Sequence, residues 1–277
     1  MDTIELKIEL SPKSPWNEII VAELADQGFE SFVQTETGIL AYVNADVDVE
    51  KALEETSLKK NDLFTFSIAQ QKIPYQNWNA KWEADFQPVF IEEYATILAP
   101  FHAKSKGRGM VVEIQPQMSF GTGHHQTTWM MTKALFELGE MPKNVLDMGT
   151  GTGVLAIVAE NLGADNILAI DIEDWSVVNA KENAERNNSK NIRCVCGDID
   201  KVGNEKFGLI IANINKNILK SHMESYSQAL ESGGTLLLSG FFSTDVEELV
   251  NYASEFQLSQ IKLFGKDEWA AIQLIKK

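Results

Sequence analysis

The residues with the clearest capacity for chemistry form a glycine-rich turn near the middle of the chain. The turn reads Asp147-Met-Gly-Thr-Gly-Thr-Gly153 and follows the apolar pair Val145-Leu146, which is typical of a buried strand. Glycines in such a turn can adopt positive φ angles, and they let a ligand approach bare backbone. Open α/β sheets bind ligands at the carboxyl ends of their strands, so this turn is a candidate ligand site.

The spacing of the glycines separates two classes of ligand. A dinucleotide site needs Gly-x-Gly-x-x-Gly, so that pyrophosphate can sit at the N-terminus of the following helix. Here the third glycine comes one residue earlier, in the pattern Gly149-x-Gly151-x-Gly153. A carboxylate at Asp147 would repel pyrophosphate, but it suits a ligand that carries an ammonium and a sulfonium group. We therefore expect S-adenosylmethionine, which has both cations and no phosphate, rather than a dinucleotide.

Two further acidic residues follow the next two predicted strands. Asp171 ends the first of them, 171 − 149 = 22 residues beyond the first glycine. An acidic residue about 20 residues beyond such a glycine is placed to accept hydrogen bonds from ribose hydroxyls. Asp198 follows the second strand and is the natural contact for an adenine amino group. Each acid alone would more often be an ordinary turn residue, but beside the turn they indicate one site.

The overall composition is that of a globular protein with a large acidic excess. Of the 277 residues 44% are hydrophobic and 23% are charged, which is ordinary for a folded domain. The 40 acidic and 24 basic residues give a net charge of −16, which repels nucleic acid and attracts cationic partners. Taken alone, the excess is better explained by solubility. We expect no nucleic-acid partner.

No segment of the sequence indicates a membrane or secreted protein. There is no run of about 18 apolar residues, and the first residues lack the basic and apolar regions of a secretory signal. We therefore expect a cytoplasmic protein without a membrane partner. Cys194 and Cys196 are two positions apart on one predicted strand, which suits neither a metal site nor a disulfide. We expect both to be small buried hydrophobic residues, and we predict no metal site.

The first 70 residues predict a small domain of their own. Residues 3–10 alternate between apolar and polar types, as a half-buried strand does. Ser14-Pro15 is expected to cap a helix over 16–27 and to supply its first residue. The complete order, β-α-β-β-α-β, is typical of a ferredoxin-like α+β domain. We predict this N-terminal domain at 1–70.

A connector is predicted at 71–96. Trp78, Trp82 and Phe86 recur there at intervals of four, as on one side of a short helix. An aromatic stripe of this kind more often packs in a core or between domains than it binds a substrate.

Residues 97–277 predict the larger domain. Strands and helices alternate from 97 onward, including strands at 97–100 and 110–115. Such alternation indicates a mostly parallel sheet, here of seven strands, with helices on both faces. The last two strands are separated only by Gly265-Lys-Asp-Glu268, so we expect an antiparallel hairpin at the sheet edge.

Two more segments point to a family. They are Phe120-Gly-Thr-Gly-His-His-Gln-Thr-Thr128 and Ala212-Asn-Ile-Asn-Lys-Asn-Ile-Leu219. Together with the glycine-rich turn and Asp171, they resemble the bacterial ribosomal protein L11 methyltransferases, the PrmA family. The likeness covers nearly the whole chain and extends to its two-domain plan. One departure is Gln126, where the family pattern usually has proline, a residue that would pre-set the first helical turn.

The resemblance implies a Rossmann-like class I methyltransferase domain that binds S-adenosylmethionine. Carried over by position, it implies that Thr128, Gly149, Asp171 and Asn213 contact the cofactor, and Gly151 belongs to the same turn. Thr128 would offer its hydroxyl and a backbone N–H to the methionine carboxylate, and Asn213 would position the amine that accepts the methyl group. Helix capping and turn formation are the alternative roles of Thr128 and Asn213.

The reaction implied by the resemblance is methylation of the N-terminal α-amine and of lysine side chains of a basic ribosomal protein, L11. No residue is identified as a general base, because His124 and His125 are at least as well suited to fixing their loop. The N-terminal domain would hold the substrate protein.

Other functions remain open at this point. Methyltransferases that act on amide nitrogen or on a base typically carry Asn-Pro-Pro-Tyr, whereas this chain has Asn213-Ile-Asn-Lys216. The chain could instead modify another basic protein or a small amine, or bind S-adenosylmethionine without catalysis during ribosome assembly. The sequence does not indicate an oligomeric state.

Overall fold

The computed structural model describes residues 2–60, 62–103 and 107–277, without the side chains of Trp78 and Asn79. It divides into two compact units, Met1–Asp85 and Phe86–Lys277. The division falls inside the predicted connector at 71–96. Among the described residues, no helix combines the length and the apolar character needed to cross a membrane.

The N-terminal unit is an antiparallel sheet covered by helices. Its strands lie in the order β2-β3-β1-β4. The elements are β1 Thr3–Ser11, α1 Trp16–Asp26, β2 Ser31–Gln34, β3 Gly38–Asn44, α2 Val49–Glu54, α3 Ser57–Lys60 and β4 Thr65–Ile73. This order confirms the predicted ferredoxin-like pattern, with the second helix split in two. The inward residues of β1, Leu6 and Ile8, pack with Ile20 and Leu24 of α1 in a core of its own.

Two local predictions in this unit need correction. Ser14 does not cap α1, because Pro15 itself occupies the cap position and provides no side-chain hydrogen bond. The aromatic stripe of the connector is not a core stripe at Trp82, which is 47% exposed on the short helix α4 Trp78–Asp85. The Phe86 ring, in the second unit, packs edge-on against Phe101 and His124. The side chain of Trp78 lies outside the described structure.

The second unit is built on a seven-stranded sheet in the order β10-β9-β8-β11-β12-β14-β13. Its strands are β8 Asn144–Met148, β9 Asn166–Asp171, β10 Ile192–Cys196, β11 Phe207–Asn213, β12 Leu230–Phe242, β13 Leu258–Lys266 and β14 Trp269–Lys276. Its helices are α5 Gln126–Phe136, α6 Val154–Asn161, α7 Asp174–Arg186, α8 Lys216–Ala229 and α9 Val246–Ser254. The first five strands of the order are parallel, and β14 and β13 form the antiparallel edge hairpin. The predicted fold class is therefore confirmed.

The strand order reverses direction at β8. Its neighbours are β9 on one side and β11 on the other, so the connecting helices leave on opposite faces of the sheet. This arrangement opens a crevice at the carboxyl ends of β8 and β11, where open α/β sheets hold their ligands.

A separate three-stranded sheet precedes this core. It consists of β5 Val89–Ile91, β6 Ala95–Leu98 and β7 Met110–Glu113, in that order. The strands expected at 97–100 and 110–115 therefore do not join the large sheet. At the last residue of β7 the backbone groups are taken by Asn187, the residue that follows α7. Asn187 accepts a hydrogen bond from the Glu113 N–H at 2.8 Å and donates one to its carbonyl at 2.7 Å.

The two cysteines occupy the outer strand β10 of the large sheet. Cys194 is half-buried, and burial raises the pKa of its thiol to about 11. Cys196 is exposed, so the prediction that both are buried is wrong for this residue. It lies at the carboxyl end of the outer strand of the sheet, where a strand flanks it on one side only.

Candidate active site

A cleft of about 410 Å³ opens at the carboxyl ends of β8, β9 and β11, at the point where the strand order reverses. It brings together four of the five predicted site residues, namely Gly149, Gly151, Asp171 and Asn213. The fifth, Thr128, lies in the first turn of α5 and is not part of the lining. Asp198, the predicted adenine contact, also lines the cleft.

The glycine-rich turn presents backbone to the cleft because side chains do not fit there. Gly149 and Gly151 have φ angles of +72° and +55°. A Cβ atom on Gly151 would lie 2.2 Å from the Phe120 carbonyl oxygen, a contact that backbone atoms cannot relieve. The sequence spacing identified this turn, but not the segment that closes on it.

That segment is Phe120-Gly121, which docks directly on the turn. The Thr152 N–H donates to the Phe120 carbonyl at 2.9 Å, and the Thr152 hydroxyl donates to the Gly121 carbonyl at 2.7 Å. From the other side, the buried Asn183 side chain donates to the Thr152 carbonyl at 2.9 Å. The two motifs singled out in the sequence therefore form one structural unit.

Asp171 is held by the turn and faces the cleft. Its Oδ2 accepts a hydrogen bond from the Gly151 N–H at 2.9 Å, and its Oδ1 accepts one from the Glu173 N–H at 3.1 Å. Only 9% of the residue is exposed. Each carboxylate oxygen retains a lone pair, so the carboxylate can accept further hydrogen bonds from hydroxyl groups.

Asp147 lies beneath the turn and not in the cleft. It is 1% exposed, and its Oδ2 accepts a hydrogen bond from the Thr150 hydroxyl at 2.6 Å. Burial raises the pKa of Asp147 to about 7, and the nearby Asp171 carboxylate adds to the effect. The expected direct role of this carboxylate toward a cationic ligand is therefore not supported, and its role is to hold Thr150.

Three buried side-chain oxygens at this end of the unit have no hydrogen-bond partner among the described residues. They are Ser119 Oγ, Thr128 Oγ1 and Asn213 Oδ1. An unpaired buried polar atom costs about 1–3 kcal/mol, so such groups indicate a missing ligand. Ser119 and Asn213 line the cleft, whereas Thr128 is fully buried and is not part of the lining. Ser119, next to the Phe120 motif, is a site residue that the sequence analysis missed.

Large apolar side chains stand exposed around the same cleft. Met118 is 90% exposed, Ile172 65% and Trp175 51%. Covering one such side chain gains roughly 1.5–3 kcal/mol, which a flat apolar ligand in the cleft would provide. Ile172 could have been noticed because it directly follows Asp171. Trp175 carries no such signal, since an exposed aromatic residue in a first helical turn fits many roles.

A series of aromatic rings continues from the cleft along the end of the sheet. The Phe120 ring lies 5.1 Å from His125, the His125 ring 4.6 Å from Trp269, and the Trp269 ring 4.4 Å from Phe242. Phe120 and Phe242 are 52% and 45% exposed. We call these four residues the aromatic wall. Such a wall can cover the methylene chain of a long amine.

The two histidines of the loop are fixed by hydrogen bonds. His125 Nδ1 caps α5 by accepting from the Thr127 hydroxyl at 2.8 Å and from its N–H at 3.3 Å. Burial lowers the pKa of His125, which favours a neutral ring with its proton on Nε2. His124 bonds through Nε2 to the Gln87 carbonyl at 2.9 Å. Neither ring is placed as a free base, in agreement with a loop-fixing role.

The buried acid Asp147 leads to a prediction for the ligand-free protein. Its pKa is about 7 when folded and near the ordinary 3.8 when unfolded, so the folded state binds the proton more tightly. Between these values stability falls as pH rises. Relative to Asp147→Asn, we expect the free energy of unfolding of the parent to fall by about 2–3 kcal/mol between pH 5 and pH 8. Urea unfolding at each pH measures the free energy of unfolding. Curves of this quantity against pH that run parallel for the two proteins would contradict the prediction.

Comparison with known proteins agrees with this geometry. The family model described as ribosomal protein L11 methyltransferase (PrmA) matches residues 9–277. A protein named ribosomal protein L11 methyltransferase from Porphyromonas gingivalis is 41% identical over 261 residues, covering 92% of this chain and 89% of the relative. One of the same name from Chlorobaculum tepidum is 36% identical, covering 96% and 94%.

Solved structures support the same fold. The crystal structure of ribosomal protein L11 methylase from Lactobacillus delbrueckii matches with a TM-score of 0.63 and 26% identity, covering 69% of this chain and all of that one (100%). A methyltransferase from Pyrococcus furiosus, 18% identical, shares the fold with a TM-score of 0.51 over 60% of this chain and 89% of that chain. The resemblance read from the motifs is confirmed, and the chain belongs to the PrmA family of ribosomal protein L11 methyltransferases.

Proposed function

We propose that this protein transfers methyl groups from S-adenosylmethionine to the N-terminal α-amine and to lysine amines of ribosomal protein L11. Methyltransferase activity and S-adenosylmethionine as the methyl donor follow from membership of the family. The finer statement rests on one observation above all. The cleft joins the glycine-rich turn and Asp171 to an unpaired Asn213 oxygen, with the aromatic wall beginning at its side.

The residues of the cleft fit the parts of the cofactor. The backbone at Gly149 and Gly151 would receive the methionine portion, and Asp171 would accept hydrogen bonds from the ribose hydroxyls. Ile172 would cover one face of the adenine ring, with Asp198 at its amino group. Thr128 has a hydroxyl oxygen without a partner but is fully buried, so a contact with the cofactor requires a local movement.

The chemistry at the acceptor amine requires positioning more than acid–base catalysis. When bound, the cofactor supplies an electrophilic methyl group. A lysine amine arrives protonated, with an ordinary pKa of about 10.4, and must lose that proton before it can react. The apolar rings of the aromatic wall would lower this pKa by desolvation, so the proton can leave to water. Asn213 Oδ1 would then hold the neutral amine by accepting an N–H, which orients its lone pair for in-line transfer.

Charge supports a basic protein as the substrate. The net charge of −16 favours approach of a cationic partner and disfavours nucleic acid. The reaction would take place in the cytoplasm, where ribosomal proteins are made.

The proposed reaction can be tested directly. We expect labelled methyl from S-adenosylmethionine to appear on purified L11, with mass spectrometry locating it at the N-terminus and at lysines. Asp171→Asn should raise the Kd of the cofactor about 10- to 100-fold, because a charge-assisted bond to ribose is lost. The matched control is Asp165→Asn, an exposed acid outside the cleft. Cofactor binding without transfer to L11 would refute this substrate and direct a search to other basic proteins and small amines.

A variant of Asn213 separates a role in positioning the acceptor amine from a role in cofactor binding. Asn213→Ala should lower kcat for L11 about 100-fold and change the cofactor Kd less than threefold, because the lost contact serves the amine in the transition state. Single-turnover kinetics and calorimetry measure the two quantities on the same preparation. A cofactor Kd that rises in step with the loss of kcat would instead place Asn213 in cofactor binding.

We further propose that the N-terminal region, expected at 1–70, recognises the substrate protein. Its support is that residues 1–85 form a compact unit with a hydrophobic core of its own. Deleting residues 1–85 should raise the KM for intact L11 at least tenfold. The KM for a short peptide from the L11 N-terminus should stay the same, since the peptide needs only the catalytic unit. Circular dichroism checks that the shortened protein is folded. An unchanged KM for intact L11 would contradict the proposal.

A further inference from the structure

A buried histidine that the proposed reaction does not use reaches the cleft from α8. His222 lines the cleft and is 7% exposed. Its Nε2 lies 3.3 Å from Asp198 Oδ1, and its Nδ1 lies 3.3 Å from the Tyr226 hydroxyl. Tyr226, one helical turn further along α8, is fully buried. Tyr226 is hydrogen-bonded to His222, and His222 in turn is in ion-pair contact with Asp198 at the cleft.

The direction of the hydrogen bond between Tyr226 and His222 follows from Tyr226. Burial and the neighbouring Asp198 carboxylate raise the pKa of this phenol strongly, so it keeps its proton. Among the described residues its hydroxyl has one hydrogen-bond partner, His222 Nδ1, and the phenol proton is paired only when the hydroxyl donates to that nitrogen. With Nδ1 as the acceptor, a neutral imidazole carries its proton on Nε2, the nitrogen that lies 3.3 Å from Asp198 Oδ1. The contact between His222 Nε2 and Asp198 Oδ1 is an ion-pair contact rather than a hydrogen bond, so it acts on the carboxylate through its electrostatic direction.

Asp198 is thereby held on one of its two oxygens. Its Oδ1 accepts the Ile199 N–H at 2.7 Å and faces His222 Nε2 at 3.3 Å. No described residue donates to Oδ2, and the side chain is 54% exposed beside the cleft. Both contacts fall on the same oxygen, which favours one orientation of the carboxylate and leaves the other oxygen as an acceptor for a ligand.

We propose that Tyr226 and His222 act as positioning residues that orient Asp198, so that its free oxygen accepts an N–H from the exocyclic amine of a purine. This inference rests on the proposed function, because it concerns the base end of the same cofactor site. A 6-amino purine presents a donor to Asp198 Oδ2. A 6-oxo purine presents an acceptor there, and two facing oxygens repel each other. We call Tyr226 and His222 together the relay. By favouring one orientation of Asp198, the relay helps the site to distinguish the two bases, and a carboxylate that could rotate freely would lose part of this discrimination.

The test measures binding of two ligands that differ only at this position. They are S-adenosylhomocysteine and its 6-oxo analogue, S-inosylhomocysteine, titrated by calorimetry into the full-length protein. We expect the parent protein to prefer the adenosyl ligand at least tenfold. His222→Phe removes the donor and keeps the bulk, and it should reduce the preference about tenfold. His222→Gln, which can still donate to Asp198, should recover part of it.

Two further variants keep the inference testable if His222→Phe folds poorly. Tyr226→Phe should lower the preference about threefold, since His222 stays in place and loses only its hydrogen bond to the Tyr226 hydroxyl. Asp198→Asn should shift the preference toward the 6-oxo ligand, because an amide N–H then faces the oxygen. Ser227→Ala, on α8 but bonded to the Phe256 carbonyl, controls for loss of helix packing and should leave the preference unchanged.

The outcomes separate this inference from the proposed function. If both ligands weaken equally in the His222 and Tyr226 variants, the histidine has only a structural role and the inference is overturned. The proposed function then stands, provided methyl transfer to L11 is observed. If the parent protein binds neither ligand, both the cofactor assignment and the inference fail.

Discussion

The catalytic unit depends on one close approach of backbone to backbone, at Gly151. No Cβ atom fits between this residue and the Phe120 carbonyl, and the Gly151 N–H is committed to Asp171. Thr152, the next residue, donates twice to the Phe120-Gly121 segment. Three stretches of chain that are far apart in sequence therefore meet at a single turn. Any side chain larger than hydrogen at this position would separate them and open the floor of the cleft.

The sheet topology explains why these stretches meet where they do. Because β8 lies between β9 and β11, the loops that follow these strands all emerge at the same crevice. Some buried groups of the site lower the stability of the ligand-free protein. Asp147 is buried as an acid with a raised pKa, and oxygens of Ser119 and Asn213 lack partners among the described residues. Such costs are typical of binding sites, where a ligand supplies what the fold leaves unsatisfied.

The two sides of the site suit the two reactants of a methyl transfer. The side formed by the glycine-rich turn and Asp171 offers bare backbone and hydrogen-bond acceptors, as the polar parts of a nucleoside require. The aromatic wall, which begins at Phe120, offers apolar faces and no base, because the His125 nitrogen nearest the helix is already committed to its cap. Orientation and desolvation of an amine are the means such a surface provides.

The sequence by itself determined the local features and the class of the protein. Glycine spacing, Asp171 at its distance from the turn, alternating strands and helices, and the final hairpin are all patterns of neighbouring residues, so they can be read without a structure. The family followed from motifs of the same kind. The tertiary structure decided which distant segments touch. It buried Asp147 beneath the turn, it left Thr128 out of the cleft lining, and it brought His222 against Asp198. Periodicity reports which face of an element is buried, but not which other element covers it. For that reason the unpaired oxygens, the exposed rim at Trp175 and the relay on α8 could only be found in three dimensions.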